Sequence, residues 1–211
     1  MRLTIFGATG GTGTHLVRQA LERGHEVTAV VRDPSRLDVP AGDRLDVVTA
    51  DVMDPAAITP AVAAADAVVS ALGHRGTGPT TVCQDAARGI IAAMTKTGAR
   101  RFLMVSAAGM VTDPGDGPLT RYVAKPILQR ILRNNFADMG RAEEEVRGSD
   151  LDWTIVRPPR LTDKEGAGRY RTATDRSIRG GVHISRADLA TGILAMIPDD
   201  ATVRRHVWIA H

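Results

Sequence analysis

The chain predicts an α/β domain built on one doubly wound, parallel β-sheet with helices on both faces. Three observations predict it. Short apolar runs alternate with helical patterns from end to end, the first run breaks into a glycine turn that opens a helix, and no internal repeat or low-complexity tail interrupts the alternation. The 211 residues suit a single domain, 1–211, and a 43% hydrophobic content is enough to fill one core.

Residues 3–6 form an apolar run read as a buried strand. Glycines follow at Gly7, Gly10 and Gly13, then a helical pattern through Leu16, Val17, Ala20 and Leu21 closed by Gly24, then a second apolar run at 27–31. That order is one right-handed βαβ unit. Residues 45–50 are a third strand. Asp54 caps the next helix, with Pro55 at its first position and Ile58 and Val62 along it. A fourth strand spans 67–72. The segment 79–97 is an amphipathic helix carrying Val82, Ala86, Ile90 and Met94 on one face and stopped by Gly98. A fifth strand at 102–105 leads to a Gly-, Asp- and Pro-rich loop at 112–118 and a helical region from about 126 to 146. The sixth strand, 153–156, runs into Arg157-Pro158-Pro159. Residues 160–184 show no strong periodicity and are expected to form a substrate-side loop with a short strand near Tyr170. Ser185 and Asp188 make a capping box for a helix to about 196, and a short strand at 207–209 completes the pattern.

Composition narrows the function classes. No stretch approaches a membrane span, and the first residues form a strand rather than a signal peptide. Cys83 is the only cysteine, which leaves no disulfide framework or cysteine metal cluster and fits a reducing cytoplasm. No metal-ligand arrangement and no Ser–His–Asp set is visible. The net charge of +3 is carried mostly by arginines scattered among acids, with seven aromatic residues in all, so neither a basic stripe nor a stacking platform points to nucleic acid. The expected partner is a small molecule, with the chain a monomer or homodimer and no membrane association.

The glycine turn carries the strongest functional signal. Gly7 permits the sharp turn off the strand, Gly10 lets backbone N–H groups approach a pyrophosphate, and Gly13 lets the helix pack close to the sheet. The helix N-terminus then presents unpaired N–H groups and partial positive charge to phosphates, with Thr9, Gly11 and Thr12 in the same turn. Arg32 stands first after the second apolar run and Arg36 follows closely, so two guanidiniums can converge on a 2′-phosphate. Asp33 would serve NAD instead if the strand ended one residue later. The balance favours NADP(H).

In such sheets, ligands bind beyond the carboxyl ends of the strands. The third strand brings Asp51 and Val52 there, where a carboxylate can accept from the adenine amine. The fourth brings Leu72, Gly73, His74 and Arg75, the fifth Ser106, Ala107 and Ala108, and the sixth Pro158, Pro159 and Arg160. Ser106 is the expected catalytic residue, its hydroxyl placed to hydrogen-bond a nicotinamide amide or a substrate oxygen; the alternative is a serine that satisfies a nearby backbone group. His74 has the chemistry of a general acid but lies in a Gly-rich loop. Tyr122 and Lys125 fall one residue short of a Tyr-x-x-x-Lys pair, and Pro126 disfavours a helix at Lys125.

The stretches IFGATGGTG (5–13), VTAVVRDPSRL (27–37), ADV (50–52), SALGHR (70–75), PTTV (79–82), GIIAAM (89–94) and LDWTIVRPP (151–159) cover nearly the whole chain. In this order the chain resembles the biliverdin-IXβ reductase/flavin reductase group of atypical short-chain dehydrogenases/reductases and, more loosely, NmrA-like proteins. The resemblance implies a Rossmann-type sheet, NADPH as hydride donor, and planar conjugated acceptors such as flavins, quinones or tetrapyrroles. It places Gly7 to Gly13 on the phosphates, Arg32 on the 2′-phosphate, Ser106 near the nicotinamide, and Pro158 and Pro159 in the acceptor pocket. His74, Ala107 and Arg160 complete the expected substrate-side residues. The lack of a proper Tyr-x-x-x-Lys pair fits this group, because a conjugated acceptor can take its proton from solvent. Arg160 departs from the histidine of the mammalian member, and the loop at 111–125 also differs. A non-catalytic NADP(H) redox sensor is the alternative function, and a sugar epimerase is a poorer third for want of the tyrosine motif.

Overall fold

The computed structural model describes residues 1–74, 76, 78–113 and 116–211. Arg75, and Pro114 and Gly115 of the expected loop, lie outside the described residues. Strands β1 (Arg2–Phe6), β2 (Glu26–Val31), β3 (Leu45–Thr49), β4 (Ala67–Ser70), β5 (Arg101–Val105), β6 (Asp152–Arg157), β8 (Arg171–Thr174) and β10 (Arg205–Ala210) form one sheet in the order β3-β2-β1-β4-β5-β6-β10-β8. Seven of these strands run parallel. The eighth, β8, pairs antiparallel to β10 at the edge. The chain crosses from β3, on one side of β1, to β4 on the other, so the topological switch point lies between β1 and β4.

Alternation along each strand sorts the core into two layers. Leu3 and Ile5 face the layer built with α1 (Gly11–Glu22) and α6 (Arg186–Met196), against Leu16, Val17, Leu189 and Ile193. Phe6, Val68 and Phe102 face the other layer, against Ile58 and Val62 of α2 (Pro55–Ala63), Ile90 and Met94 of α3 (Val82–Thr97), and Ala142 and Val146 of α5 (Arg133–Arg147).

The caps follow local chemistry. Asp54 accepts from the N–H groups of Ala56 and Ala57, with Pro55 in the first turn. Ser185 Oγ accepts from the N–H of Asp188 at 3.0 Å. Helix α3 starts at Val82 rather than at 79, and its cap comes from elsewhere. Buried Asp138 of α5 accepts from the N–H groups of Cys83 (2.9 Å) and Gln84 (3.1 Å). Burial, with the charge of Asp138 added, pushes the Cys83 thiol up to about 12, so this cysteine is a packing residue.

Two expectations need correction. The region after 111 turns helical at Pro118, not at 126, and passes through a π-turn at Thr120–Ala124 into α4 (Lys125–Ile131). Lys125 is therefore helical despite Pro126. Its N–H reaches back five residues to Thr120 O, and the wider turn moves the carbonyls that the proline ring would otherwise meet. Residues 160–184 also hold more order than a loop. β7 (Arg160–Thr162) pairs in parallel with β9 (His183–Ser185) as a small second sheet, while β8, the short strand expected near Tyr170, joins the main sheet. Its polar sequence, RTAT, gives no burial pattern, and pairing to β10 alone makes it a strand.

Candidate functional site

The turn after β1 is shaped by two glycines. Gly7 has φ +78°, and a Cβ there would lie 2.8 Å from the Ala71 backbone. A Cβ at Gly13 would lie only 2.0 Å from the Gly7 carbonyl oxygen, so α1 sits directly on the turn because residue 13 has no side chain. The N-cap, Gly10, has an extended backbone and no side chain to bond the first-turn N–H groups of α1. Those donors, with the positive end of the helix, face the carboxyl edge of the sheet at its switch point. This cradle of bare backbone donors fits a dinucleotide pyrophosphate.

At the neighbouring strand ends, β2 stops at Val31, so Arg32 is the first residue beyond it and is exposed, as is Arg36. Asp33 is occupied as a cap: its Oδ1 accepts from Ser35 N–H (3.0 Å) and Oγ (2.6 Å), bonds that hold its carboxyl below the ordinary range. Asp51 lies exposed after β3 with Oδ1 bonded to the Met53 N–H, and Val52 is buried. Leu72 is half-buried and Gly73 exposed after β4.

A second feature opens beyond β5, β6 and β10: a cavity of about 440 Å³. Ala107, Pro158, Pro159 and Arg160 line it, as the sequence suggested, together with Leu128, Phe136 and Trp208, which it did not. Lys125 also reaches the wall. Its Nζ donates to Val111 O and to Asp116 Oδ2, each at 2.6 Å, in a buried ion pair. His74 is half-buried and is not among the lining residues. Tyr122 is 71% exposed on the outside of the π-turn, with the Arg121 guanidinium over its ring, while Lys125 points inward. The two do not form an acid pair. The π-turn sends them to opposite sides.

Ser106 lies just behind this wall, 5% exposed. Its hydroxyl donates to Glu143 Oε1 at 2.5 Å, and Glu143 in turn pairs with Arg157 through both carboxylate oxygens. A carboxylate paired with a guanidinium only accepts, so the serine proton is committed to Glu143 and Oγ keeps lone pairs. Of the two expected partners, a nicotinamide amide and a substrate oxygen, this arrangement suits the first, because Ser106 Oγ can accept, as from a carboxamide N–H. Arg157 stacks over Trp208, 4.8 Å from the ring. Beside them, burial and then the Arg157 charge hold the His206 imidazole below its ordinary pKa, against the opposing pull of Glu143.

Glu143 and Asp116 are the residues that the sequence does not mark as site components, and Lys125 enters the wall through Asp116 rather than through Tyr122. One signal existed for Glu143. Arg157 ends a buried strand, and a charge there requires a buried partner. Among the described residues, no group of histidines, cysteines and carboxylates could hold a metal ion, and no helix is long and apolar enough to cross a membrane.

Fold and turn together define a dinucleotide-binding α/β domain. Residues 7–200 match the model of the NAD(P)H-binding family, and the chain belongs to that family. It is 28% identical to the uncharacterized protein YwnB of Bacillus subtilis over 200 residues, covering 92% of this chain and 91% of YwnB. It is 27% identical to the reductase pytE of Aspergillus terreus over 235 residues, covering 89% and 88%. A wide-type short-chain dehydrogenase/reductase of Veillonella parvula, solved with NADP, superposes with a TM-score of 0.81 at 19% identity, covering 100% of this chain and 94% of the other. The cofactor class is NAD(P)H.

Proposed function

We propose that the chain is an NADPH-dependent reductase that passes hydride to a planar conjugated acceptor of the flavin, quinone or tetrapyrrole type. The observation that carries this reading is the mostly apolar cavity at the ends of β5, β6 and β10. In the strand order, β5 stands two places from β1, about 10 Å at ordinary strand spacing, within reach of a dinucleotide anchored at the glycine turn. The flat walls offered by Pro158, Pro159, Phe136 and Trp208 suit a planar ring system. The reductase pytE, similar along most of its length, supports the reaction class.

When bound, NADPH supplies the hydride. The chain's residues do the rest by positioning. The uncapped first turn of α1 holds phosphate oxygens, and Arg32, first beyond β2, is placed for a 2′-phosphate. Ser106 Oγ, with its proton given to Glu143, accepts from an amide and fixes its orientation. The apolar lining excludes water from the acceptor face. With Tyr122 exposed outside the cavity, the final proton comes from solvent, which a conjugated acceptor allows.

The test is NADPH oxidation with a panel of free flavins, quinones and linear tetrapyrroles. Turnover with at least one class is expected, and Tyr122→Phe should then lose less than about tenfold in kcat/KM, well short of the 10²–10⁴ typical of a removed general acid. Ser106→Ala should lose more. Tight NADPH binding with no oxidation by any acceptor would overturn the reading in favour of a redox sensor. A nearly dead Tyr122→Phe would point to a carbonyl substrate instead.

A further inference from the structure

Gly11 has no conformational reason to be glycine. It is the first residue of α1, and its φ is not among the positive values that Gly7 adopts. The nearest atoms to a Cβ built there all belong to the side chain of Arg186, at 2.6 Å from Cδ and 2.8 Å from Nε. Arg186 is the first residue of α6, which shares a core layer with α1. Its stem therefore lies on the bare Cα of Gly11, across the N-terminus of the helix that holds the phosphates. We infer that Arg186 is a cofactor-binding residue that closes over the NAD(P)H pyrophosphate from the side opposite the α1 N–H groups.

The described partner of the guanidinium does not account for this placement. Arg186 Nη1 donates to Asp163 Oδ1 at 2.5 Å, but that carboxylate is 86% exposed while Arg186 is only 27% exposed. Ion pairs with so exposed a partner contribute little to folding, and an ordered arginine loses much rotamer freedom. A guanidinium carries five N–H donors in a rigid fork, and the pairing with Asp163 occupies Nη1. The planar fork matches two phosphate oxygens, and the site beneath it is already electropositive. A side chain at residue 11 would push the arginine off the turn. Asp163 competes with the phosphates for the guanidinium.

The assignment needs only the dinucleotide turn and not the acceptor chemistry, so it stands or falls apart from the reductase reading. NADPH and NADH share the pyrophosphate and differ in the 2′-phosphate, and calorimetry on both distinguishes the two loci. Arg186→Ala should weaken NADPH and NADH by the same factor, about tenfold or more for a lost charge-assisted contact, with Tm nearly unchanged. Asp163→Asn should tighten both by removing the competitor. A folded Arg186→Ala protein that binds both cofactors normally overturns the inference. So does a loss confined to NADPH, which would put the guanidinium on the 2′-phosphate. An Asp163→Asn variant that weakens binding as much as Arg186→Ala also overturns it, because the pair would then act only as a brace. If Arg186→Ala does not fold, Arg186→Gln, which keeps a stem over Gly11, carries the same comparison.

Discussion

Replacing Glu143 with leucine should be among the most damaging single changes to this fold. The carboxylate side chain is 5% exposed and its Arg157 partner 9% exposed, and the same carboxylate takes the Ser106 hydroxyl proton. Removing one member of a buried ion pair costs about 3–5 kcal/mol, because the other charge stays desolvated and unpaired. Arg157 has some relief here: it stacks on Trp208, whose ring keeps a favourable contact with the guanidinium when the carboxylate is gone. The lower end, about 3 kcal/mol, is therefore expected. For a domain of this length that is a fall in Tm of roughly 6–12 °C, at 2–4 °C per kcal/mol. Urea denaturation followed by tryptophan fluorescence suits the measurement, since Trp208 lies under the Arg157 guanidinium and Trp153 is on the same strand as Arg157. The double variant Glu143→Leu/Arg157→Met should regain at least half of the loss, because an apolar pair of similar volume carries no unpaired charge. A single variant that loses under about 1 kcal/mol would refute the reasoning, since that is the range of an exposed pair. A double variant as unstable as the single would show that packing, and not the stranded guanidinium, sets the cost.

Gly13→Ala should lower Tm and weaken NADPH binding at least tenfold, because a Cβ 2.0 Å from the Gly7 carbonyl oxygen forces α1 off its turn; overpacking of this kind costs about 1–3 kcal/mol. A variant with unchanged Tm and unchanged Kd would show that the turn tolerates the methyl. Acid stability should depend on Asp188. Burial pushes its carboxyl up, but bonds from the N–H groups of Ala167 and Gly168, from Ser185 and from His211 together hold it below the ordinary range. The stability this carboxylate contributes is therefore complete above its unfolded value, about 3.9, and is lost as pH falls through the lower folded value. His211→Ala removes one of these bonds and should move the acid unfolding limb to higher pH; a pH–stability profile with the same acid limb would refute the assignment.

What was legible in the sequence is the chemistry that acts over a few residues. Gly7 and Gly13 mark a turn and a close approach, Asp54-Pro55 marks a helix start, and Ser185 with Asp188 marks another; each works within its own segment. Arg32 was legible because a buried strand has to end where its apolar run ends. What was not legible depends on a partner far along the chain. β7 and β9 are strands because each offers the other an edge, and Asp138 caps a helix that begins 56 residues earlier. The rule that Pro126 opposes a helix at Lys125 is sound for an α-turn, and the chain evades it with a π-turn.

The same division explains how the candidate site was misjudged. Ser106 was found from its position at a strand end, but its role turns on where its proton goes, and Glu143 decides that from a helix 37 residues away. Glu143 is one of three consecutive glutamates, Glu143, Glu144 and Glu145, on a helix that looks solvated throughout. Helical rotation points only the first at the carboxyl end of β6, where Arg157 lies buried. Glu145 turns instead to Arg88 on the surface. A charged residue ending a buried strand implies a buried counter-charge. That inference names the need but not the residue, and only the packing of α5 against the sheet supplies the name.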